Sequence, residues 1–349
     1  MAFGTFSVLD SLAVFRGTVA NFGEDQAYAN IAEALVAHNA ILSEMLNELV
    51  ERSTDARRMY GGGGDMFMQE MDESGDPNPQ KTTTGVTVGF PLRKYAIAMQ
   101  WTRTALQVMT GAELAAFTND AMSADAKAVQ REIKKAIFTA TNTTTIDRFV
   151  DRTSLPVKAF VNADSATIPV GPNGETFNAA THTHYLASAA FVAADLTGLI
   201  DTVIEHHNQG DAVVYINRAQ EAAIRAFTGF VAYLDARVIG ANNVNQATGE
   251  LDATNFNNRA IGIYNGAEIW IKPWVPASYL YATVLGAGAP LVMRTRTADS
   301  GDFTLIYENE DHPMRARSWE REFGIAPYRR TAGAALFVAG GAYVTPVFA

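Results

Sequence analysis

The tetrapeptide Thr110-Gly-Ala-Glu113 restricts this chain more than any other stretch. Threonine followed three residues later by glutamate is a capping box. The hydroxyl accepts from the third amide of a helix, and the carboxylate reaches back to the threonine amide. Behind it, Leu114, Phe117, Ala121, Met122, Ala126, Val129, Ile133 and Ile137 recur on one side, the helical period. The pattern predicts a helix of about 30 residues, roughly 45 Å long. Lys127, Arg131, Lys134 and Lys135 lie opposite and read as a solvated face. A helix of that length needs a large apolar partner, and a chain of 349 residues with 48% apolar content can build one.

Residues 1–26 hold apolar anchors (Phe3, Phe6, Phe15 and Phe22 among them) without sustained helical spacing, and read as an arm that docks elsewhere. A helical stripe is predicted over 27–58, through Tyr28, Ile31, Leu35, Leu42, Met45, Leu46, Leu49 and Val50. The glycines Gly61, Gly62, Gly63 and Gly64 stop it. The strip "YGGGGDMFMQEMDESGDPNPQKTTTG" (60–85) resembles neither neighbour: it is acidic, has two prolines and carries Lys81 as its one basic residue. Structureless connections of this length are uncommon in compact domains unless functional or disordered. Residues 83–101 then read as β, with a bend at Gly89–Pro91. Together, 61–104 form a two-stranded excursion from a helical body.

Residues 141–190 are punctuated by threonine, proline and glycine, and imply short strands and turns. A helix is expected at 193–208, a buried strand at 211–217 and a helix at 218–227. A hairpin at 261–271 has Asn265–Gly266 at its tip, the favoured pair for a type I′ turn. Strands are expected at 279–285, 291–296, 303–308, 314–323 and 334–345. Helices come first and strands last, an α+β order rather than alternating βαβ units.

Known chemistries find little purchase. There is no cysteine, which excludes disulfides, thiolate zinc sites and cysteine nucleophiles. Phosphate-loop, dinucleotide and GxSxG signatures are absent. The acidic strip lacks the order of a calcium loop. His182 and His184, two apart, would share a strand face, and His206 and His207 lie near a helix end. Three or four of these could meet around zinc, but no HExxH relation supports it, and surface or structural histidines are the favoured reading. No catalytic residue, cofactor or metal is therefore assigned; a zinc-dependent enzyme using His182, His184 and His206 stands as a remote alternative. The balance of 27 basic against 37 acidic residues, net −10, argues against a protein that grips nucleic acid by neutralising phosphates. No run reaches the ~18 apolar residues of a membrane span, and no secretory leader is evident, so a soluble cytosolic product is expected.

Shape is the remaining signal. An arm, an excursion and an overlong helix would expose Phe3, Phe6, Phe15, Met66, Phe67, Met68, Phe90 and Trp101. Apolar exposure on that scale marks subunit interfaces, so the chain is expected to be stable as part of an assembly.

The order of these parts resembles the major capsid proteins of tailed double-stranded DNA bacteriophages, with the Hong Kong 97-type capsid fold. Two phrases carry the closer similarity. "DAVVYINRAQEAAIRAF" looks like that family's axial-domain strand, turn and helix. "NGAEIWIKPWVPASYLYATVLGAGAPLVMR", with the later "FTLIYENEDHPMRARSWEREFGIAPYRRTAGAALFVA", looks like its closing half. The resemblance implies an N-terminal arm and helix at 1–60 and an extended β loop at 61–104. It implies a peripheral domain with a spine helix and an insertion at 105–190, an axial domain at 191–300, and return strands of the peripheral domain at 301–349.

It further implies a structural protein that assembles with itself into pentamers and hexamers of an icosahedral shell. The shell would enclose double-stranded DNA without sequence-specific binding, in a virion assembled in the host cytoplasm. Portal and decoration proteins are the implied partners. The presumed arm begins near Met1, so a separate scaffolding protein is expected. The apolar residues just named, with Lys81, become inter-subunit contacts; Met66, Phe67 and Met68 form an adaptable patch. Gly61 to Gly64 become a loop hinge. Lys81 and Lys94 fall in the loop, but no asparagine or acid matches the family's cross-linking chemistry, and no covalent link is expected. An encapsulin-like compartment around an enzyme cargo shares the fold and is the alternative.

Overall fold

The computed structural model describes residues 17–61, 85–207, 211–233, 258–298, 300–309 and 314–348, with isolated positions before 17 and between 62 and 84. Helices α1 (Val19–Phe22) and α2 (Glu24–Leu46) meet at Gly23, whose φ of 99° is one that glycine adopts without strain. Strands β1 (Val50–Ser53), β2 (Arg57–Tyr60), β3 (Val86–Gly89) and β4 (Arg93–Thr102) follow, then α3 (Arg103–Val108) and the long α4 (Gly111–Phe138). Next come β5 (Thr143–Ile146), β6 (Ser154–Val157), β7 (Tyr185–Ala187), α5 (Ala193–Ile204), β8 (Asp211–Ile216), a 3₁₀ turn (Arg218–Gln220) and α6 (Glu221–Arg225). The chain closes with β9 (Val231–Ala232), β10 (Arg259–Tyr264), β11 (Ala267–Ile271), β12 (Tyr279–Leu285), β13 (Leu291–Arg294), β14 (Thr304–Asn309), β15 (Met314–Pro327) and β16 (Gly333–Phe337). The class is α+β, as expected.

The capping box forms as its residues dictate. Glu113 N donates to Thr110 Oγ1 at 3.3 Å, and Thr110 N donates to Glu113 Oε2 at 2.8 Å. The resulting helix runs 28 residues. The helix expected over 27–58 is a correction: it stops at Leu46, and residues 50–53 and 57–60 are strands. Leu46, Leu49 and Val50 are buried in one cluster, so the apolar stripe persists while the backbone changes state. Pairing decides it, because β1 runs parallel to β13 from Val50↔Leu291 to Ser53↔Arg294. The expected strand at 334–345 likewise ends at Phe337, where its partner β12 begins at Tyr279.

Two sheets organise the chain. One has the order β1-β13-β15-β14, with β4 also paired to β15 along ten residues. The other has the order β7-β16-β12-β8-β11-β10-β9. Its β10–β11 hairpin turns at Asn265 (φ 47°) and Gly266 (φ 80°), the left-handed pair a type I′ turn requires. The main core includes Val129, Ile133, Ile137 and Phe138 of α4, Tyr215 and Tyr281 of the seven-stranded sheet, and Phe323 and Ile325 of β15. A second core joins Leu196, Leu199, Ile200 and Val203 of α5 with Val214, Ile269 and Leu280.

Buried ion pairs tie these layers. Arg321 of β15 donates to both oxygens of Asp125 on α4, at 2.8 and 2.9 Å. Arg330 donates to the Ala159 carbonyl at 2.8 Å and pairs with Asp164 at 3.0 Å. That anchors the irregular 158–164 stretch to the β15–β16 turn. Among the described residues, no helix is long and apolar enough to cross a membrane.

Candidate functional site

The excursion has a defined root. β2 and β3 form an antiparallel ladder from Arg57↔Gly89 to Tyr60↔Val86, bracketing residues 61–85. The ladder is seated by Tyr60, whose hydroxyl lies 2.8 Å from Thr331 Oγ1 and whose ring meets Tyr328 edge-on at 6.0 Å. Gly61, immediately beyond, has φ 71°, so the chain leaves the ladder through a conformation open to glycine. Residues 93–102, expected in the same excursion, are the β4 strand of the first sheet.

The described residues among those expected at subunit contacts fall into three groups. Met68 is 99% exposed, an apolar side chain in open solvent. Phe15 and Trp101 are half-buried: Phe15 packs edge-on against Phe22 at 5.1 Å, and Trp101 lies 6.5 Å from the Phe117 ring. Phe90 is a correction. It is fully buried in a cluster with Val88, Val292 and Ala326, because the bend at 89–91 turns it into the chain's own core. Phe3, Phe6, Gly62, Gly63, Gly64, Met66, Phe67 and Lys81 lie outside the described residues. Lys94 is held by Glu320 at 2.9 Å.

Two apolar surfaces were missed by sequence reasoning. Among the described residues β14 pairs only with β15, so it is an edge strand, and its Leu305, Ile306 and Tyr307 are 41%, 52% and 54% exposed. Nearby, Val36 of α2 is 70% exposed and Ile41 63%. A concavity lined by Leu35, Val36, Asn39, Phe303 and Leu305 joins the two. An apolar edge strand left open invites pairing with another chain. The signal in the sequence is three consecutive apolar residues, Leu305-Ile306-Tyr307, where a half-buried strand should alternate.

A separate polar cluster gathers three of the histidines. His182 Nε2 lies 3.2 Å from His184 Nε2, 3.0 Å from His206 Nε2 and 3.3 Å from Glu205 Oε1. His184 donates from Nδ1 to the Gly333 carbonyl at 2.9 Å, which leaves Nε2 as the lone-pair nitrogen. Burial holds His184 well below the usual histidine range, helped by His206. Burial, with His182 and His207, pushes His206 down to about 3. These two rings are neutral at pH 7. His207 stands apart, 3.5 Å from Thr331 Oγ1. Glu205 went unremarked in the sequence because His182, which it meets at 3.3 Å, lies more than twenty positions away.

No family model matches the chain, and no curated protein matches it in sequence. Its fold does match. A solved structure of Mycobacterium phage Patience superposes on 90% of this chain and 88% of its own, with a TM-score of 0.68 and 21% identity. Two others are more distant. The capsid of a native GTA particle is 14% identical over 86% of this chain and 91% of that one, TM-score 0.48. The SrpI encapsulin of Synechococcus elongatus is 12% identical over 88% and 90%, TM-score 0.42. Those two likenesses are too weak to decide anything. The first establishes that this chain has the fold of a phage structure, in line with the resemblance read from its sequence.

Proposed function

We propose that this chain is the major capsid protein of a tailed double-stranded DNA phage, a structural protein whose copies form the pentamers and hexamers of an icosahedral shell. The observation that carries the reading is a likeness of fold to a phage structure spanning about nine tenths of both chains. A likeness of that extent covers a whole subunit rather than a shared motif. The open β14 edge and the exposed Met68 support it, since each leaves apolar surface for a neighbouring copy to cover. The net charge of −10 suits a container, because a wall that repels phosphates leaves the packaged DNA free to enter and leave.

Within this reading the chain has the Hong Kong 97-type plan. Residues 1–60 are the arm and its helix. Of the 61–104 stretch expected as the extended loop, 61–85 cross an adjacent subunit from a root in the β2–β3 ladder, while 93–102 stay in the first sheet. Residues 105–190 form the peripheral domain with α4 as spine helix, 191–300 the axial domain, and 301–349 the return strands. Gly61 to Gly64 are the hinge on which the loop swings as the shell matures. A separate scaffolding protein, a portal and a decoration protein complete the partner set, and assembly takes place in the host cytoplasm.

The test is expression of the untagged chain, alone and with a candidate scaffolding protein, followed by sedimentation and negative-stain microscopy. Closed isometric shells are expected; a chain that stays monomeric in both settings overturns the reading. Deleting residues 61–85 should leave soluble capsomer-scale material. Full shells of normal stability from that deletion would remove the role given to the loop.

A further inference from the structure

The arrangement around His182 is hard to account for by hydrogen bonding. An imidazole nitrogen has one in-plane direction, carrying either a hydrogen or a lone pair, and so makes one good hydrogen bond. Yet His182 Nε2 has three polar atoms within 3.3 Å: His184 Nε2, His206 Nε2 and Glu205 Oε1. Two of the three cannot meet it as donors, and one of these is the Glu205 carboxylate, which only accepts. His184 has its ring hydrogen on Nδ1, committed to Gly333 O, so a neutral ring presents a lone pair from Nε2. The four donor atoms all lie within 4.8 Å of one another. A cation placed among them serves every one, which a single shared proton does not.

The spacing fits a particular coordination. Zinc bonds to histidine nitrogen and carboxylate oxygen of about 2.0–2.2 Å, set tetrahedrally, imply ligand–ligand edges of about 3.3–3.5 Å. Four of the six edges are 3.0, 3.2, 3.3 and 3.7 Å, and the other two lie within 4.8 Å. We propose that His182, His184, Glu205 and His206 form a binding site for a divalent transition metal of the imidazole-preferring class, zinc first among them.

Its surroundings are those of a metal centre. The His184–Gly333 hydrogen bond fixes ring orientation and tautomer, the usual task of an outer partner to a ligating histidine. Glu205 and His206 sit at the C-terminal end of α5, where the helix dipole favours positive charge. The Phe177 ring covers the cluster, with centroids 4.9 Å from His182 and 4.1 Å from His206. Side-chain exposure is 18% for His182 and 2% for His206. Four protein donors fill a tetrahedron and leave no open position, so the site is structural rather than catalytic. The ion would clamp the irregular segment ending at His184 to helix α5, close to β16. This site lies within one chain and stands whether or not the chain builds a shell.

Zinc content is measured by elemental mass spectrometry on the untagged full-length chain after dialysis against micromolar zinc and then metal-free buffer. About one zinc per chain is expected for a single four-ligand site. Cobalt in its place should give the intense visible bands of a tetrahedral centre. Zinc should raise the melting temperature and a chelator lower it. Losing an outer partner already weakens metal binding about 10–100-fold, so His182→Gln and Glu205→Gln should each weaken zinc at least tenfold while circular dichroism is unchanged. Retained zinc below about 0.1 per chain, against the one a closed site holds, overturns the proposal. So does stoichiometric zinc that both substitutions leave untouched.

Discussion

Replacing Asp125 with alanine should be among the most damaging single changes in this chain. Asp125 and Arg321 have side chains 2% and 1% exposed, and join helix α4 to strand β15. The guanidinium donates twice to the carboxylate, once to Gly301 O at 2.7 Å and once to Asn39 Oδ1 at 2.6 Å. His38 Nε2 meets the same carboxylate at 2.9 Å. Alanine leaves Arg321 two acceptors and no counter-charge in a site closed to water. Breaking a buried pair from one side costs about 3–5 kcal/mol. The double substitution Asp125→Leu with Arg321→Met removes both charges, and should cost less than the sum of the single changes by more than about 1 kcal/mol. Some cost remains, because Gly301 O loses the guanidinium and His38 loses its carboxylate, while Asn39 Oδ1 keeps only the Phe303 amide. Urea unfolding of the dispersed chain, followed by tryptophan fluorescence, measures Asp125→Ala, the singles Asp125→Leu and Arg321→Met, and the double variant. A loss below about 1 kcal/mol for Asp125→Ala, the size expected of a surface pair, would refute the reasoning. Strict additivity in the double variant would refute it equally.

Other outcomes follow from the same structure. Gly324→Ala places a Cβ against the Pro91 carbonyl, a backbone atom with no rotamer to move; a loss of about 1–3 kcal/mol in the same urea assay is expected. Burial alone would raise the Asp164 carboxyl, but Arg330, Asn142 and Lys158 outweigh it and hold it near about 2. Its contribution is therefore present above the unfolded value near 3.9 and lost as pH falls towards 2. The amount is about 1–2 kcal/mol after allowance for partial exposure. Asp164→Asn should flatten the acid limb of a stability-versus-pH curve in that window. Thr110→Ala removes the cap of α4 and should cost about 1 kcal/mol, read by thermal melting. Ile306→Glu, on the open edge of β14, should block assembly in sedimentation while leaving the subunit's circular dichroism intact.

Much of the fold could be read before the structure, where signals were local. The α4 capping box, the Asn265–Gly266 hairpin and the buried β8 strand each rest on residues within a few positions of one another. The errors arose where distant partners decide. Leu46, Leu49 and Val50 satisfy a helical stripe equally well as the end of a helix and the start of a strand, and only β13, some 240 positions away, selects the strand. Phe90 looked like surface because it follows an excursion; the bend at Pro91 turns it under Val292 and Ala326. For the histidines, His182, His184 and His206 could be grouped from the sequence as a possible zinc set, and only Glu205 was not joined to them. Helix α5 and strand β16 bring them together, and no spacing rule in one dimension records that.

The central claim is that copies of this chain close into a shell. Cryo-electron microscopy of the untagged chain, expressed alone and with a candidate scaffolding protein, reads this out. Icosahedral particles built of pentamers and hexamers are expected, with the β14 edge and residues 61–85 of each copy covered by a neighbour. Particles whose subunits leave both of those surfaces in solvent, or a chain that forms no closed particle at all, would contradict it.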